Sequence, residues 1–240
     1  MKMYEFYPLI EKASRYTSKD TTRGGICYVQ VVHNVGDHTT TISATDGYIV
    51  IQYREINDTD YNDYFSILVD AKLFLKSINK EDRKRGLIVN LHKVPQVKDL
   101  RYPFPCIENG FPTKAPMNGE ITHTECQYLQ RIIKAVGACS SMSGLIKISF
   151  DTKQGLFSIS AENKALQLSA KSEGLKGMEW VQLEKIGFNY KYLYRVLSDI
   201  SDKKESIRCS ITTAVGPMLL TSTWGTLTTR CCIMPLRIFE

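Results

Sequence analysis

The sequence predicts an α+β fold of two tandem domains, each with two helices packed on antiparallel sheet. Three observations carry this. Amphipathic stripes at helical spacing recur about 120 residues apart, alternating strand-like runs fill the interval between stripes in each half, and a proline-interrupted stretch lies midway.

The first stripe is Leu9, Ile10 and Ala13, with Lys12, Arg15 and Lys19 turned elsewhere. Three alternating runs follow at 26–32, 40–44 and 48–53 and read as strands. The polar stretch Asn34-Val35-Gly36-Asp37, flanked by His33 and His38, reads as the turn between the first two. Arg23-Gly24-Gly25 is too short to cradle a phosphate and reads as the start of a strand. A second helix begins after Val69-Asp70-Ala71-Lys72, with Leu73, Phe74 and Ile78 apolar and Lys72, Lys76 and Lys80 spaced four apart. A further strand is expected at 86–92.

The boundary is expected at 112–118. Phe111-Pro112-Thr113-Lys114-Ala115-Pro116-Met117 can continue neither a helix nor a central strand, because proline lacks the amide proton both need. The expected domains are therefore 1–118 and 119–240.

The second half repeats the order. Leu129, Ile132, Ile133 and Val136 form the first stripe, with Arg131 and Lys134 off it. Strand-like runs occupy 145–150, 156–161 and 165–170, and Ala161-Glu162-Asn163-Lys164 corresponds to Ala44-Thr45-Asp46-Gly47. The second helix follows Phe188-Asn189-Tyr190-Lys191, with Leu193, Val196, Leu197 and Ile200 apolar and Lys191 and Arg195 facing away. A strand at 207–212 closes the pattern.

Composition limits the function classes. The 240 residues carry 31 Lys+Arg against 25 Asp+Glu, a net charge of +6, with 43% hydrophobic and 23% charged residues. That is ordinary globular composition, with enough chain to bury cores without metal or disulfide staples. No apolar run approaches the roughly 18–20 residues of a membrane span, and the start, Met1-Lys2-Met3-Tyr4-Glu5-Phe6, has no apolar signal region, so a soluble cytoplasmic protein is expected. Seven cysteines at irregular spacing, with no C-x-x-C pair and no histidine at zinc-ligand spacing, read as reduced structural thiols, and no metal or cofactor is expected. Phosphate-binding, dinucleotide, nucleophile-elbow and zinc-protease motifs are all missing, which favours a binding module over an enzyme.

The placement of charge is more informative than its sum. The four helices share one design, an apolar stripe with lysines or arginines on the other face. Repeats set side by side would line one surface with these cations, and a phosphate backbone is the natural partner for such a surface. The DNA-facing residues expected on this argument are Lys12, Arg15, Lys19, Lys72, Lys76 and Lys80 in the first half. In the second they are Arg131, Lys134, Lys191 and Arg195. The nearby aromatics Tyr4, Phe6, Tyr7, Tyr16, Tyr190, Tyr192 and Tyr194 read as packing residues, so weak, sequence-independent duplex contact is expected.

Several segments resemble a known family. Phe188-Asn189-Tyr190-Lys191-Tyr192-Leu193, Gly216-Pro217-Met218-Leu219-Leu220 and Ile233-Met234-Pro235-Leu236-Arg237-Ile238 look like the last domain of the bacterial sliding clamp, the beta subunit of DNA polymerase III. Ser18-Lys19-Asp20-Thr21-Thr22-Arg23-Gly24-Gly25-Ile26, Ile42-Ser43-Ala44-Thr45-Asp46-Gly47-Tyr48, Ile67-Leu68-Val69-Asp70-Ala71-Lys72-Leu73-Phe74 and Gly110-Phe111-Pro112 look like its middle domain. The resemblance implies two tandem DNA-clamp domains and a non-enzymatic ring that encircles duplex DNA and tethers a polymerase. With two domains rather than three, a homotrimer is the expected ring, and the reduced size points to a phage or mobile element.

The resemblance also implies a hydrophobic pocket between the two domains, where polymerase and clamp loader dock short peptides. By motif it takes Thr45, Gly47, Tyr48, Ile49 and Val50, with Pro116 and Met117 from the connector. From the C-terminus it takes Cys232, Met234, Pro235, Leu236, Arg237 and Ile238. The sequence departs from common bacterial clamps at Tyr48-Ile49, where His-Arg is usual. The alternative function is a clamp-like interaction module that keeps the fold and never closes around DNA.

Overall fold

The computed structural model describes residues 3–56, 64–79, 81, 94–97, 103–112, 117–140, 144–151, 156–161, 166–171, 185–200, 205–213 and 215–238. The chain divides into two compact units. Unit one is Met1–Ile107 with Gly225–Thr229, and unit two is Glu108–Trp224 with Arg230–Glu240.

In unit one, helix α1 (Met3–Ser14) precedes a 3-10 helix at Thr21–Cys27. Strands β1 (Val29–Asn34), β2 (Thr39–Thr45), β3 (Ile49–Ile56) and β4 (Phe65–Val69) then lead into helix α2 (Ala71–Ser77). The strands pair antiparallel in the order β4-β1-β2-β3, so the fourth strand returns to the free side of the first. Alternation sets the buried face of β1, with Val29, Val31 and His33 inward. Against that face α1 buries Phe6, Ile10 and Ala13, and Phe6 meets Phe74 of α2 edge-on at 5.6 Å between ring centroids. His33 is fully buried, stacked on Phe65 with Nδ1 3.1 Å from the Thr40 hydroxyl.

Unit two opens with β5 (Met117–Ile121) and α3 (His123–Ala138). It continues through β6 (Leu145–Asp151), β7 (Leu156–Ala161), β8 (Gln167–Lys171), β9 (Ile186–Asn189) and α4 (Tyr190–Ile200). The strands β10 (Ile207–Ile211), β11 (Met218–Trp224) and β12 (Leu227–Ile233) complete it, with the start of β12 grouped in unit one. One sheet runs β8-β7-β6-β9 and a second runs β12-β11-β10-β5. Read from its fourth strand, the first of these has the order β9-β6-β7-β8, the same topology as β4-β1-β2-β3. Helices also match in position, since Met3 and His123 lie 120 residues apart and Ala71 and Tyr190 lie 119 apart. The internal repeat is thus a repeat of folding topology: helix, three-strand meander, returning strand, helix.

The starts of α2, α3 and α4 each carry a local hydrogen bond. Asp70 accepts from Leu73 N at the head of α2, and Asn189 accepts from Lys191 N at the head of α4. Thr122 and Glu125 form a reciprocal capping box on α3, Glu125 Oε2 accepting from Thr122 N at 2.8 Å and Thr122 Oγ1 accepting from Glu125 N at 3.3 Å.

Four expectations need correction. Arg23-Gly24-Gly25 lies in the 3-10 helix rather than starting a strand: Asp20 accepts from Thr22 N, and Gly24 takes φ +59°, a left-handed conformation that glycine adopts without strain. Strand β1 accordingly begins at Val29. Helix α1 ends at Ser14, so Arg15 lies in the following turn and Lys19 lies beyond it, before the 3-10 helix. Leu73, expected on the buried stripe, is 56% exposed. In a helix of seven residues Ala71 and Phe74 fill the contact, and the chain leaves at Ile78 in extended conformation. The expected strand at 86–92, the turn Glu162-Asn163-Lys164, Lys80 and Pro116 lie outside the described residues.

Candidate nucleic-acid interface

Four of the cations expected to face DNA stand on the helix pair α3 and α4 of unit two. Helix α4 buries Leu193, Val196, Leu197 and Ile200, and α3 buries Cys126, Leu129, Ile132, Ile133 and Val136. The apolar stripes expected from sequence are the faces that pack. Two contacts fix the helices together. Gln130 Nε2 donates to the backbone carbonyl of Leu197 at 3.0 Å, and the Cys126 thiol lies 3.7 Å from the same oxygen. Gly137 is buried against Tyr190, and any Cβ there would overlap the ring.

With those faces turned inward, Arg131 and Lys134 stand exposed on α3 and Lys191 stands exposed on α4, with Arg195 half-buried beside it. Aromatic rings support two of these cations: Lys191 Nζ lies 5.9 Å from the Tyr190 centroid, and Arg195 Cζ lies 6.0 Å from that of Tyr192. The two helices contain only two acids. Glu125 is engaged in the cap of α3, and Asp199 is buried. Neither helix carries a further carboxylate to compete with an approaching phosphate.

A groove of about 340 Å³ opens on this face, lined by Gln127, Gln130, Arg131, Lys134 and Tyr194. Within the helices, the Gln127 amide nitrogen sits 3.0 Å from His123 Nε2 and the Ser198 hydroxyl donates to the backbone carbonyl of Tyr194. Of the five lining residues, the basic-face reading predicts Arg131 and Lys134 and misses Gln127, Gln130 and Tyr194. The missed signal is legible in retrospect: positions 127, 130, 131 and 134 follow i, i+3, i+4, i+7, one polar face of a helix. Tyr194, read as a packing residue, is half-buried and faces the groove.

In unit one, Lys72 and Lys76 are exposed one turn apart on α2, which contains no acid. Lys12 is half-buried in the last turn of α1, where its charge also opposes the negative end of the helix dipole. Arg15 and Lys19 are exposed just past that helix.

The residues assigned by resemblance to peptide binding fall in both units. In unit one the Thr45–Val50 stretch (45–50) is a tight turn. The Thr45 hydroxyl donates to Ile49 O and accepts from Gly47 N, Asp46 Oδ1 accepts from the amides of Tyr48 and Ile49, and Gly47 takes φ +95°. Arg23, which the sequence reading gave no such role, donates to Asp46 O at 2.6 Å and covers Gly47 so closely that a Cβ there would collide with its guanidinium. Tyr48 projects into solvent, Val50 is half-buried and Ile49 belongs to the core. In unit two Cys232 is buried at the end of β12, Met234 and Arg237 are exposed, and Pro235, Leu236 and Ile238 are half-buried. Burial pushes the Cys232 thiol up to about 11, against an opposing effect from Arg230. The side chain of Met117 lies outside what is described, as does Pro116.

Among the described residues no group of three His, Cys, Asp or Glu side chains is arranged to hold a metal ion, and no helix is long and apolar enough to cross a membrane. No disulfide joins the seven cysteines.

No family model and no curated protein matches this sequence. Solved structures do resemble it. A DnaN sliding clamp (DNA polymerase III subunit beta) from Pseudomonas aeruginosa, bound to griselimycin, superposes with a TM-score of 0.77 at 16% identity, covering 99% of this chain and 64% of the clamp chain. The griselimycin-bound DnaN sliding clamp from Bartonella birtlesii gives 0.76 at 14% identity, covering 99% and 65%. The Helicobacter pylori beta clamp in complex with diflunisal gives 0.72 at 11%, covering 97% and 64%. The chain thus spans just under two thirds of the length of these clamps. Likeness at such low identity establishes architecture, and the chain has the sliding-clamp fold.

Proposed function

We propose that this chain is a non-enzymatic DNA sliding clamp: a cytoplasmic homo-oligomer that encircles duplex DNA and tethers a DNA polymerase and a clamp loader to it. The observation that carries the reading is the exposed side of α3 and α4, where Arg131 and Lys134 line a polar groove and Lys191 and Arg195 stand on the neighbouring helix, on a fold shared with sliding clamps. Lysine and arginine at these positions attract phosphates at long range without reading bases, and displaced counterions supply the binding free energy. Because no phosphate is held by a dense cluster, each contact is weak and exchanges readily as the protein moves along the duplex. Lys12, Arg15, Lys19, Lys72 and Lys76 of unit one, with Lys80, are proposed to serve in the same way.

The oligomer proposed is a homotrimer, which light scattering would report as three times the 27.3 kDa chain. Partner docking is proposed to use segment 234–238 of unit two, with Cys232, and the turn 45–50 of unit one, with Pro116 and Met117. An exposed methionine beside half-buried apolar residues suits a short hydrophobic peptide, since the thioether adapts to varied side chains.

The experiment is retention on DNA of defined topology. A closed clamp stays with a nicked circular plasmid and is lost once the plasmid is cut, whereas an interaction module with the same fold behaves identically on both. Griselimycin, bound to two of the similar clamps, is the probe proposed for this segment: the wild-type chain is expected to bind it, and Met234→Ala to bind it more weakly with the fold retained.

A further inference from the structure

Strand β9 gives one edge to β6, where Gly187 pairs with Lys147, and on its other side the C-terminal segment reaches it. Gly187 and Leu236 form an antiparallel bridge in which Leu236 N donates to Gly187 O at 2.8 Å. The approach leaves no room for a side chain. A Cβ at Gly187 would stand 2.8 Å from Leu236 O, 2.9 Å from Leu145 Cδ1 and 3.0 Å from Ile238 Cγ1. Two of those three atoms belong to the C-terminal segment, and the nearest is a backbone carbonyl, which cannot rotate aside as a flexible side chain would. Ile186 and Phe188, on either side of the glycine, are fully buried, so the strand itself cannot retreat.

The segment is anchored at its other end as well. Residues 231–233 of β12 are buried, and the Cys232 thiol donates to Gly110 O at 3.5 Å. Between these two anchors only Met234 and Pro235 span the gap, and Met234 is 45% exposed. The bridge at position 236 therefore fixes which side chains of the segment are presented outward.

We infer that Gly187 is a positioning residue for the C-terminal peptide-contact segment. Its missing side chain sets the register of Leu236 on β9, and through it the presentation of Met234 and Ile238 to a hydrophobic peptide-like ligand. The inference rests on the proposed peptide-contact role of 234–238. The Gly187–Leu236 contact is a single antiparallel bridge, so its loss is expected to leave α3 and α4 folded.

The test uses the full-length chain and the variants Gly187→Val and Gly187→Ala, with amide hydrogen exchange at Leu236 and griselimycin binding as readouts. Gly187→Val is expected to speed exchange at Leu236 at least tenfold and weaken griselimycin at least tenfold, while protection within α3 and α4 and association with duplex DNA stay at wild-type levels. A chain truncated after Ile233 should show the same loss of binding, and adding Gly187→Val to it should change nothing further, as expected when both act through one contact. If Gly187→Val destabilises the whole unit, Gly187→Ala, with a smaller intrusion, should show the same pattern at about threefold. Unchanged protection at Leu236 overturns the inference, as does a released segment with unchanged affinity. A wild-type chain that protects Leu236 and fails to bind griselimycin overturns the peptide-contact reading instead, and the positioning role falls with it.

Discussion

Gln130 of α3 donates its side-chain amide to the main-chain carbonyl of Leu197 in α4 at 3.0 Å, a bond across 67 residues that ties together the two helices carrying the basic face. The bond is part-buried, and beside it the Cys126 thiol lies 3.7 Å from the same carbonyl. Gln130→Ala is therefore expected to lower stability by about 1 kcal/mol, the usual worth of one such bond. Urea unfolding checks this, and an unchanged midpoint would mean the helices are held by apolar contact alone.

Gly137→Ala sets two effects against each other. Alanine favours a helix by about 0.5–1 kcal/mol over glycine. Yet the added methyl would overlap the Tyr190 ring, and overpacking costs about 1–3 kcal/mol. Sterics should win, giving a lower melting temperature. A raised one would show that Tyr190 moves aside freely.

Reversing the four cations of unit two together (Arg131→Glu, Lys134→Glu, Lys191→Glu and Arg195→Glu) should weaken duplex binding and flatten its salt dependence. Each phosphate contact contributes about 0.9 to the slope of log K against log salt, so the slope should fall in magnitude by up to about 3–4. The same binding curve on unrelated duplex sequences should shift equally. An unaltered slope would place DNA elsewhere on the molecule.

The thiols should separate by burial. Cys106 and Cys139 are exposed and should react with a thiol reagent in the native protein, while Cys209, Cys231 and Cys232 should react only on unfolding. Burial pushes Cys209 up to about 12 and Cys232 up to about 11, from an ordinary value of 9.0. Between pH 9 and these values the unfolded thiols ionise while the folded ones keep their protons. The folded state then binds more protons, so stability that is fully present below pH 9 is lost as pH rises, on the order of 1 kcal/mol per pH unit for each thiol. Denaturant midpoints at pH 8 and pH 10 check the sign.

The architecture was largely legible because burial enforces periodicity. The stripes of α3 and α4 mark the faces that pack, since a helix with one apolar face has one way to hide it. Strands 40–44, 145–150, 156–161 and 207–212 are present within a residue or two of where alternation puts them. The sequence was silent where geometry comes from glycine or from a partner distant in the chain. Gly24 converts an apparent strand start into a kinked 3-10 helix, and Leu73 looks like a core residue until the brevity of α2 is known. Strands β4, β5 and β9, of four or five residues, and the longer β11 and β12 lie outside the alternating runs expected from the sequence. Of the candidate site, the cations were visible as a face. The role of Arg23 at the 45–50 turn, and that of Gly187 under Leu236, depend on contacts 23 and 49 residues away that no local pattern encodes.

The central claim is that the basic helices face duplex DNA inside a closed ring. Its most direct test is co-elution of the protein with a nicked circular plasmid at moderate salt, before and after a single cut that linearises the same molecule. Retention on the circle and loss from the cut plasmid is the predicted result. Retention that is equal on both would contradict it and leave an open, clamp-like binding module.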